Sequence, residues 1–318
     1  MRVAVVDIGT NSTRLLVADV DEQGSVDELE RRSTVTRLGQ GVDATGALSP
    51  EAMRRVFDTL DEYRALIDRH EAGEHTIAVL TSAVRDASDG DEFTATVRDR
   101  YGLDARVIPG AEEARLSFLG ATSEREPDAG GAAIVVIDIG GGSTEFIVGR
   151  GREVEFFRST QVGVVRFSER HLTTDPPDRA ELEALAQDTR EAFEREVSED
   201  VRRDVGAAIA VAGTATSVAA IDLDLEPYDP ERVRGHRVSR ERLEAIRDRL
   251  AAMTNADRRK VRGLDPARAP TIVAGTVVLL EALRAFDLDE FEASEHDILR
   301  GAALDLWSRA TDPGGDPA

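Results

Sequence analysis

Residues 3–18 read VAVVDIGTNSTRLLVA, and residues 134–149 read IVVIDIGGGSTEFIVG. Each is an apolar run, Asp-Ile-Gly, two small or polar residues, Ser-Thr, one charged residue and a second apolar run. A short apolar run bounded by turn residues reads as a buried strand, so each copy predicts strand, Gly-rich turn, strand. Asp138 follows Asp7 by 131 residues, too long a period for a stacked solenoid. The echo therefore predicts two similar domains, each opening on the same hairpin. The 318 residues are enough for two cores.

Between the copies the pattern alternates. Residues 49–70 carry a Ser N-cap, Pro at the first helical position and apolar residues at helical spacing, which predicts a helix. TIAVLTSAVRDA (76–87) reads as a strand entering a polar segment, DEFTATVRDRYG as a helix ended by Gly102, ARVIPG as a short strand and residues 111–123 as a helix start. EREPDAGG (124–131) is rich in breakers and marks a domain boundary. The second half repeats the theme, with a strand meeting a Gly-Thr turn at AAIAVAGTATSVAAI (207–221) and a closing helix after FEASEHDILRG. The class is α/β with mixed sheets.

The chain has no cysteine, which excludes disulfides, zinc-thiolate sites and thiol catalysis and fits a cytoplasmic protein. Its apolar runs are too short for a signal peptide or a membrane span. A net charge of −22 disfavours nucleic acid and anionic membranes as partners. A phosphate-rich substrate would need a local cationic lining, or salt to screen the field. Lys260 is the sole lysine; arginine usage this extreme reads as a GC-rich or salt-adapted composition. The run RRKVRG (258–263) reads as a solvated face, or alternatively as a distal contact for a long polyanion. His236 and His296 read as surface or capping residues.

A strand ending in Asp-Ile-Gly-x-x-Ser offers a tight turn, successive N–H groups that can converge on one anion, and hydroxyls as further donors. One such turn reads as an ordinary hairpin. Two, facing each other across a cleft, could grip a phosphate chain. On this reading Gly9, Thr10, Asn11 and Ser12 form one half of a phosphate clamp and Gly140, Gly141, Gly142, Ser143 and Thr144 the other. Gly213 and Thr214, in AGTATS (212–217), line the same cleft.

In DIGTNSTRLL (7–16), RLGQGVDATGALSPEAM (37–53), TSAVRDA (81–87), IPGAEEARLSFLGA (108–121), DIGGGSTE (138–145), AGTATS (212–217) and SEHDILRG (294–301), the chain resembles the exopolyphosphatase and guanosine pentaphosphate phosphohydrolase family, in its short two-domain form. The resemblance covers essentially the whole chain. It implies two ribonuclease-H-like (actin-like ATPase) domains with mixed sheets flanked by helices and an interdomain cleft. Residues 1–125, joined by a C-terminal helix at about 297–312, would form the first domain and residues 126–296 the second.

The activity implied is hydrolysis of a phosphoanhydride, releasing terminal orthophosphate from inorganic polyphosphate or from guanosine pentaphosphate. Mg²⁺ is the implied ion, with Mn²⁺ as the alternative, and a homodimer the implied state. Matched motif to motif, the general base falls on Glu113, metal- and water-positioning carboxylates on Asp138 and Glu145, and a phosphate-binding arginine on Arg85. Arg14 closes the first loop as a second phosphate ligand, and Asp7 supports the metal or water shell. Glu112, one residue away, points about 100° from Glu113 on a helix and serves as its control. Ala212 departs from the family's frequent Gly-Gly-Thr. The alternatives are a small-molecule kinase of the same superfamily, which the AEEAR base motif disfavours, and a non-catalytic sensor, which the retained acids disfavour.

Overall fold

The computed structural model describes residues 1–125, 131–151 and 153–311. The chain divides into two compact units, Glu124–Glu295 and a unit made of Met1–Ser123 with the chain from His296 on. Positions 126–130 of the breaker-rich segment lie outside the described residues.

The first unit has strands β1 (Arg2–Ile8), β2 (Ser12–Val20), β3 (Val26–Val35), β4 (Thr76–Leu80) and β5 (Asp104–Val107). They form one sheet in the order β3-β2-β1-β4-β5. The first three are antiparallel neighbours, and β4 and β5 add in parallel. The second unit has β6 (Ala133–Ile139), β7 (Thr144–Arg150), β8 (Glu153–Thr160), β9 (Val205–Val211), β10 (Arg237–Ser239) and β11 (Glu290–Ala293). Its order is β10-β11-β9-β6-β7-β8, with β9 parallel to β6 and β11 parallel to β9. Leaving out the short β10, the two sheets share one topology. The sequence echo is thus the first hairpin of each copy.

The predicted helix at 49–70 forms as Pro50–Arg69, with the Ser49 side chain accepting from Ala52 N–H. Its apolar stripe (Val56, Leu60, Tyr63, Ile67) covers one face of the first sheet. Burying each such side chain contributes about 1.5–3 kcal/mol. The opposite face, through Val3, Val5, Leu16 and Ala18, is covered by the closing helix Ile298–Thr311. This helix packs on the helix Gly110–Thr122 at backbone contact: a Cβ on Gly120 would sit 1.9 Å from the Asp297 carbonyl oxygen, and one on Gly301 would sit 1.8 Å from that of Leu116. Only glycine allows that approach. In the second unit, the helices Arg179–Glu196, Ala212–Asp222 and Ile272–Ala285 pack with the sheet into one core that includes Phe146, Phe193 and Phe286.

Three local expectations change. TSAVRDA is not an open polar segment, because Ser82–Asp86 forms a short helix directly after β4. RRKVRG is not a wholly solvated run. Arg258 is buried, donating to the carbonyls of Leu250, Met253 and Ala269 and pairing with Asp175, so it ties three segments of the second unit together. His296 is likewise buried rather than at the surface. Among the described residues, no helix is long and apolar enough to cross a membrane.

Candidate active site

In each unit the motifs singled out in the sequence gather at the C-terminal edge of the parallel strands. In the first unit these are the turn after β1, the helix Ser82–Asp86 after β4 and the helix Gly110–Thr122 after β5. In the second they are the turn after β6 and the helix Ala212–Asp222 after β9. Open α/β sheets place ligands at this edge.

The two turns close in the same way. Gly9 N–H donates to the Ser12 carbonyl at 3.0 Å, and Gly140 N–H to the Ser143 carbonyl at 2.9 Å. Their outer carbonyls are also taken. Thr10 C=O accepts from Gly39 N–H, and Asn11 C=O from the N–H groups of Thr36 and Arg37. Gly140 C=O accepts from Val164 N–H, Gly141 C=O from Val165 N–H at 2.9 Å, and Gly142 C=O from Arg166 Nε at 3.1 Å. In a trans peptide the next N–H points opposite to the carbonyl. Three consecutive N–H groups, of Gly141, Gly142 and Ser143, therefore face away from residues 164–166, as do those of Asn11 and Ser12 from residues 36–39. Such a run of outward N–H groups is available to an anion. Gly163 makes the second turn's close packing possible, since a Cβ there would lie 2.4 Å from the Gly141 carbonyl oxygen.

Not every predicted donor faces outward. The Thr144 hydroxyl donates to the Val162 carbonyl at 2.7 Å and so braces the turn. Thr10 Oγ1 accepts from Ala83 N–H and shares a hydrogen bond with Ser82 Oγ at 2.8 Å, tying the first turn to the helix after β4. Asn11 Oδ1 and Asp7 Oδ1 are buried without a hydrogen-bond partner. Ser12 is half-buried.

The charged residues of the two hairpins differ. In the first, Asp7 is the register partner of Arg14, whose guanidinium holds Asp7 Oδ2 at 2.6 Å and also contacts Asp297 Oδ2. Arg14 thus stands between two carboxylates. Asp297 comes from the start of the closing helix, accepts from Leu299 N–H, and has Arg31 at 3.8 Å. Burial pushes Asp7 above the usual carboxylate range despite Arg14. Asp297 is equally buried, yet Arg14 and Arg31 hold it below that range. In the second hairpin the position of Arg14 is taken by an acid: Asp138 is the register partner of Glu145, and both are buried (7% and 1% exposed). Glu145 Oε1 accepts from Ser159 Oγ at 2.7 Å.

Glu113 is buried on the first turns of the helix Gly110–Thr122, and its Oε2 accepts from Arg85 Nη1 at 3.0 Å. The same nitrogen donates to the Ile108 carbonyl at 2.9 Å. The structure thus brings together the two residues assigned as base and phosphate ligand. Glu112 is separate: it pairs with Arg115, which holds its carboxyl below the usual range, and Arg115 in turn pairs with Asp305.

The third turn is strained. Ala212 has φ 62°, a left-handed conformation that costs a non-glycine residue about 1–2 kcal/mol. Gly213 carries Arg268, for a Cβ on Gly213 would fall 1.5 Å from Arg268 Nη1. Thr214 is buried. The sequence reading did not single out Arg268 or Asp297. Arg268 sits in a short 3₁₀ turn far along the chain with no local motif, and Asp297 reaches Arg14 across 283 residues of sequence.

Among the described residues, no three His, Cys, Asp or Glu side chains gather as a ready-made metal site. The acid pair fits a different donor set. Mg²⁺ is commonly held by one or two carboxylates, with waters and substrate phosphates completing the shell. Two buried acids in direct cross-strand register suit such a hard cation.

Comparison with known proteins agrees with this geometry. The model of the Ppx/GppA phosphatase family matches residues 16–308. The chain is 39% identical to Exopolyphosphatase 2 of Mycobacterium tuberculosis, over 96% of this chain and 98% of that protein. Among solved structures, an exopolyphosphatase from Cytophaga hutchinsonii superposes with a TM-score of 0.86 at 27% identity, over 96% of this chain and 98% of that one. The Aquifex aeolicus member of the Ppx/GppA family superposes with a TM-score of 0.80 at 29% identity, over 99% of both chains. Motifs, fold and relatives agree, and the chain belongs to the Ppx/GppA phosphatase family.

Proposed function

We propose that the protein is an exopolyphosphatase that releases terminal orthophosphate from inorganic polyphosphate. The observation that carries this reading is the buried pair Asp138 and Glu145 flanking a turn with three outward N–H groups. An anion-binding nest beside paired acids suits a phosphoanhydride, which brings oxygens for the nest and, with a cation, charge for the acids. The names of the Mycobacterium and Cytophaga relatives support the same substrate class.

In the second unit, N–H groups of Gly141, Gly142 and Ser143 hold phosphate oxygens; in the first, those of Asn11 and Ser12 offer the same kind of contact. Arg85 in the first unit, and Arg268 over Gly213 in the second, each offer a cation for phosphate charge. Glu113 orients a water molecule and accepts its proton as the oxygen attacks phosphorus. Arg85 keeps Glu113 in place until a phosphate oxygen takes over part of its hydrogen bonding. Asp138 and Glu145 would hold Mg²⁺, with Mn²⁺ as the alternative, and Asp7 Oδ1 is open to a cation or an ordered water. A bound ion would supply charge neutralisation on the phosphate oxygens. Arg14 acts as a brace rather than a phosphate ligand.

The test is orthophosphate release from tripolyphosphate, long-chain polyphosphate, guanosine pentaphosphate and ATP, with Mg²⁺ or Mn²⁺. Wild type should act on polyphosphate, and Glu113→Gln should lose about 10²–10⁴-fold while retaining its thermal midpoint. Glu112→Gln should stay active. Absence of release from every substrate would overturn the reading.

A further inference from the structure

Each hairpin continues into a third strand, and the charged residues of the turn belong to a row that crosses all three. In the second unit Asp138 on β6 is the register partner of Glu145 on β7, and Glu145 is the register partner of Ser159 on β8. In the first unit the row is Asp7 on β1, Arg14 on β2 and Ser33 on β3. Residues in register share a face of the sheet. Arg-Ser-Thr stands at 32–34 and again at 158–160, so the echo reaches past the hairpin to the third strand.

The two serines are placed differently. Ser33 is exposed, and the Arg14 opposite it is held by Asp7 and Asp297. Ser159 is half-buried, and its hydroxyl donates to Glu145 Oε1 at 2.7 Å. Before it β8 is a solvent-facing edge strand, with Glu153, Val154, Glu155, Phe157 and Arg158 exposed. From Ser159 on the strand is fastened: Thr160 Oγ1 donates to the Thr144 carbonyl at 3.1 Å, and Thr144 Oγ1 donates to that of Val162. The serine donor therefore stands on fixed backbone. A glutamate side chain is long and rotates freely unless held, and like charges opposed across a strand pair repel. A hydroxyl of fixed position selects one orientation of the carboxylate and offsets part of its charge. We propose that Ser159 is a positioning residue for the reaction, holding Glu145 in the orientation in which the acid pair takes a divalent cation. The proposal rests on Asp138 and Glu145 as the residues that would hold that cation. Hydrogen-bond partners of ligating groups contribute about 10–100-fold to metal affinity or activity.

The experiment uses wild type, Ser159→Ala and Ser159→Thr at equal folded fraction. Mn²⁺ binding is measured without substrate by electron paramagnetic resonance, and orthophosphate release from tripolyphosphate at a Mn²⁺ concentration equal to the wild-type Kd. Ser159→Ala should raise the Mn²⁺ Kd by about 10–100-fold and lower the rate in step, and Ser159→Thr, which keeps the hydroxyl, should restore both. A wild-type Kd or a wild-type rate in Ser159→Ala overturns the proposal while the hydrolase reading stands. So does a Ser159→Thr protein as impaired as Ser159→Ala, or a wild-type protein that releases orthophosphate but binds no Mn²⁺. If wild type binds Mn²⁺ and Ser159→Ala weakens it, but no orthophosphate is released from any substrate, the hydrolase reading fails and the place of Ser159 beside the cation stands. If wild type neither binds Mn²⁺ nor releases orthophosphate, both fail.

Discussion

The two hairpins share a turn, a topology and a register, and differ in one charge. Opposite Asp7 stands Arg14; opposite Asp138 stands Glu145. The first hairpin carries its own counter-ion, strengthened by a second acid, Asp297, brought by the closing helix. The second places two buried acids in register. Like charges opposed across a strand pair are destabilising, and burial makes ionised groups costlier. A pair of that kind is expected where charge chemistry is needed. The two hairpins thus differ as one that holds an ion pair and one that holds two acids.

The largest expected effect comes from neutralising the second hairpin. Glu145→Gln keeps a side-chain oxygen for Ser159 but removes one negative charge, and should lower phosphate release by about 10²–10³-fold. Its urea midpoint should stay close to wild type, since the oxygen that accepts from Ser159 is kept. The corresponding change in the first hairpin should act in the opposite way. Arg14→Met leaves Asp7 and Asp297 without their shared cation, and should destabilise the protein by about 3–5 kcal/mol in urea denaturation.

The same cluster predicts a pH dependence of stability. Asp297 has a folded pKa below its unfolded value, so its contribution is present above the ordinary carboxylate pKa and is lost as pH falls through the folded one. Asp7, raised by burial, has the reverse sign: its contribution is present below the unfolded pKa and lost as pH rises through the folded one. Asp297→Asn should therefore flatten the loss of stability as pH falls below about 4, read from urea midpoints on the acid side. The smallest effect belongs to the third turn. Ala212→Gly relieves a left-handed alanine and should stabilise by about 0.5–1 kcal/mol, read from the thermal midpoint.

Much of this was legible in the sequence because it is local. The echoed hairpins, the Ser49 cap, the Gly102 stop and the helix after SEHD each rest on residues a few positions apart. The pairing of Asp138 with Glu145 follows from a turn of fixed length between two strands. What escaped depends on distant packing. The helix Ser82–Asp86 is too short to show a period. The inward hydroxyl of Thr144 is set by Val162, the burial of Arg258 by Leu250 and Asp175, and the place of Arg268 by Gly213. Nothing near Arg14 in sequence announces its pairing with Asp297.

The central claim is that the acid pair of the second hairpin serves turnover while the ion pair of the first serves stability. Orthophosphate release from polyphosphate, titrated with Mg²⁺, tests it in wild type and Glu145→Gln at equal folded fraction. The expected result is saturable Mg²⁺ activation in wild type and a variant that stays folded, loses about 10²–10³-fold in rate and shows no saturable activation. A folded Glu145→Gln protein with wild-type rate and wild-type Mg²⁺ response would contradict the claim.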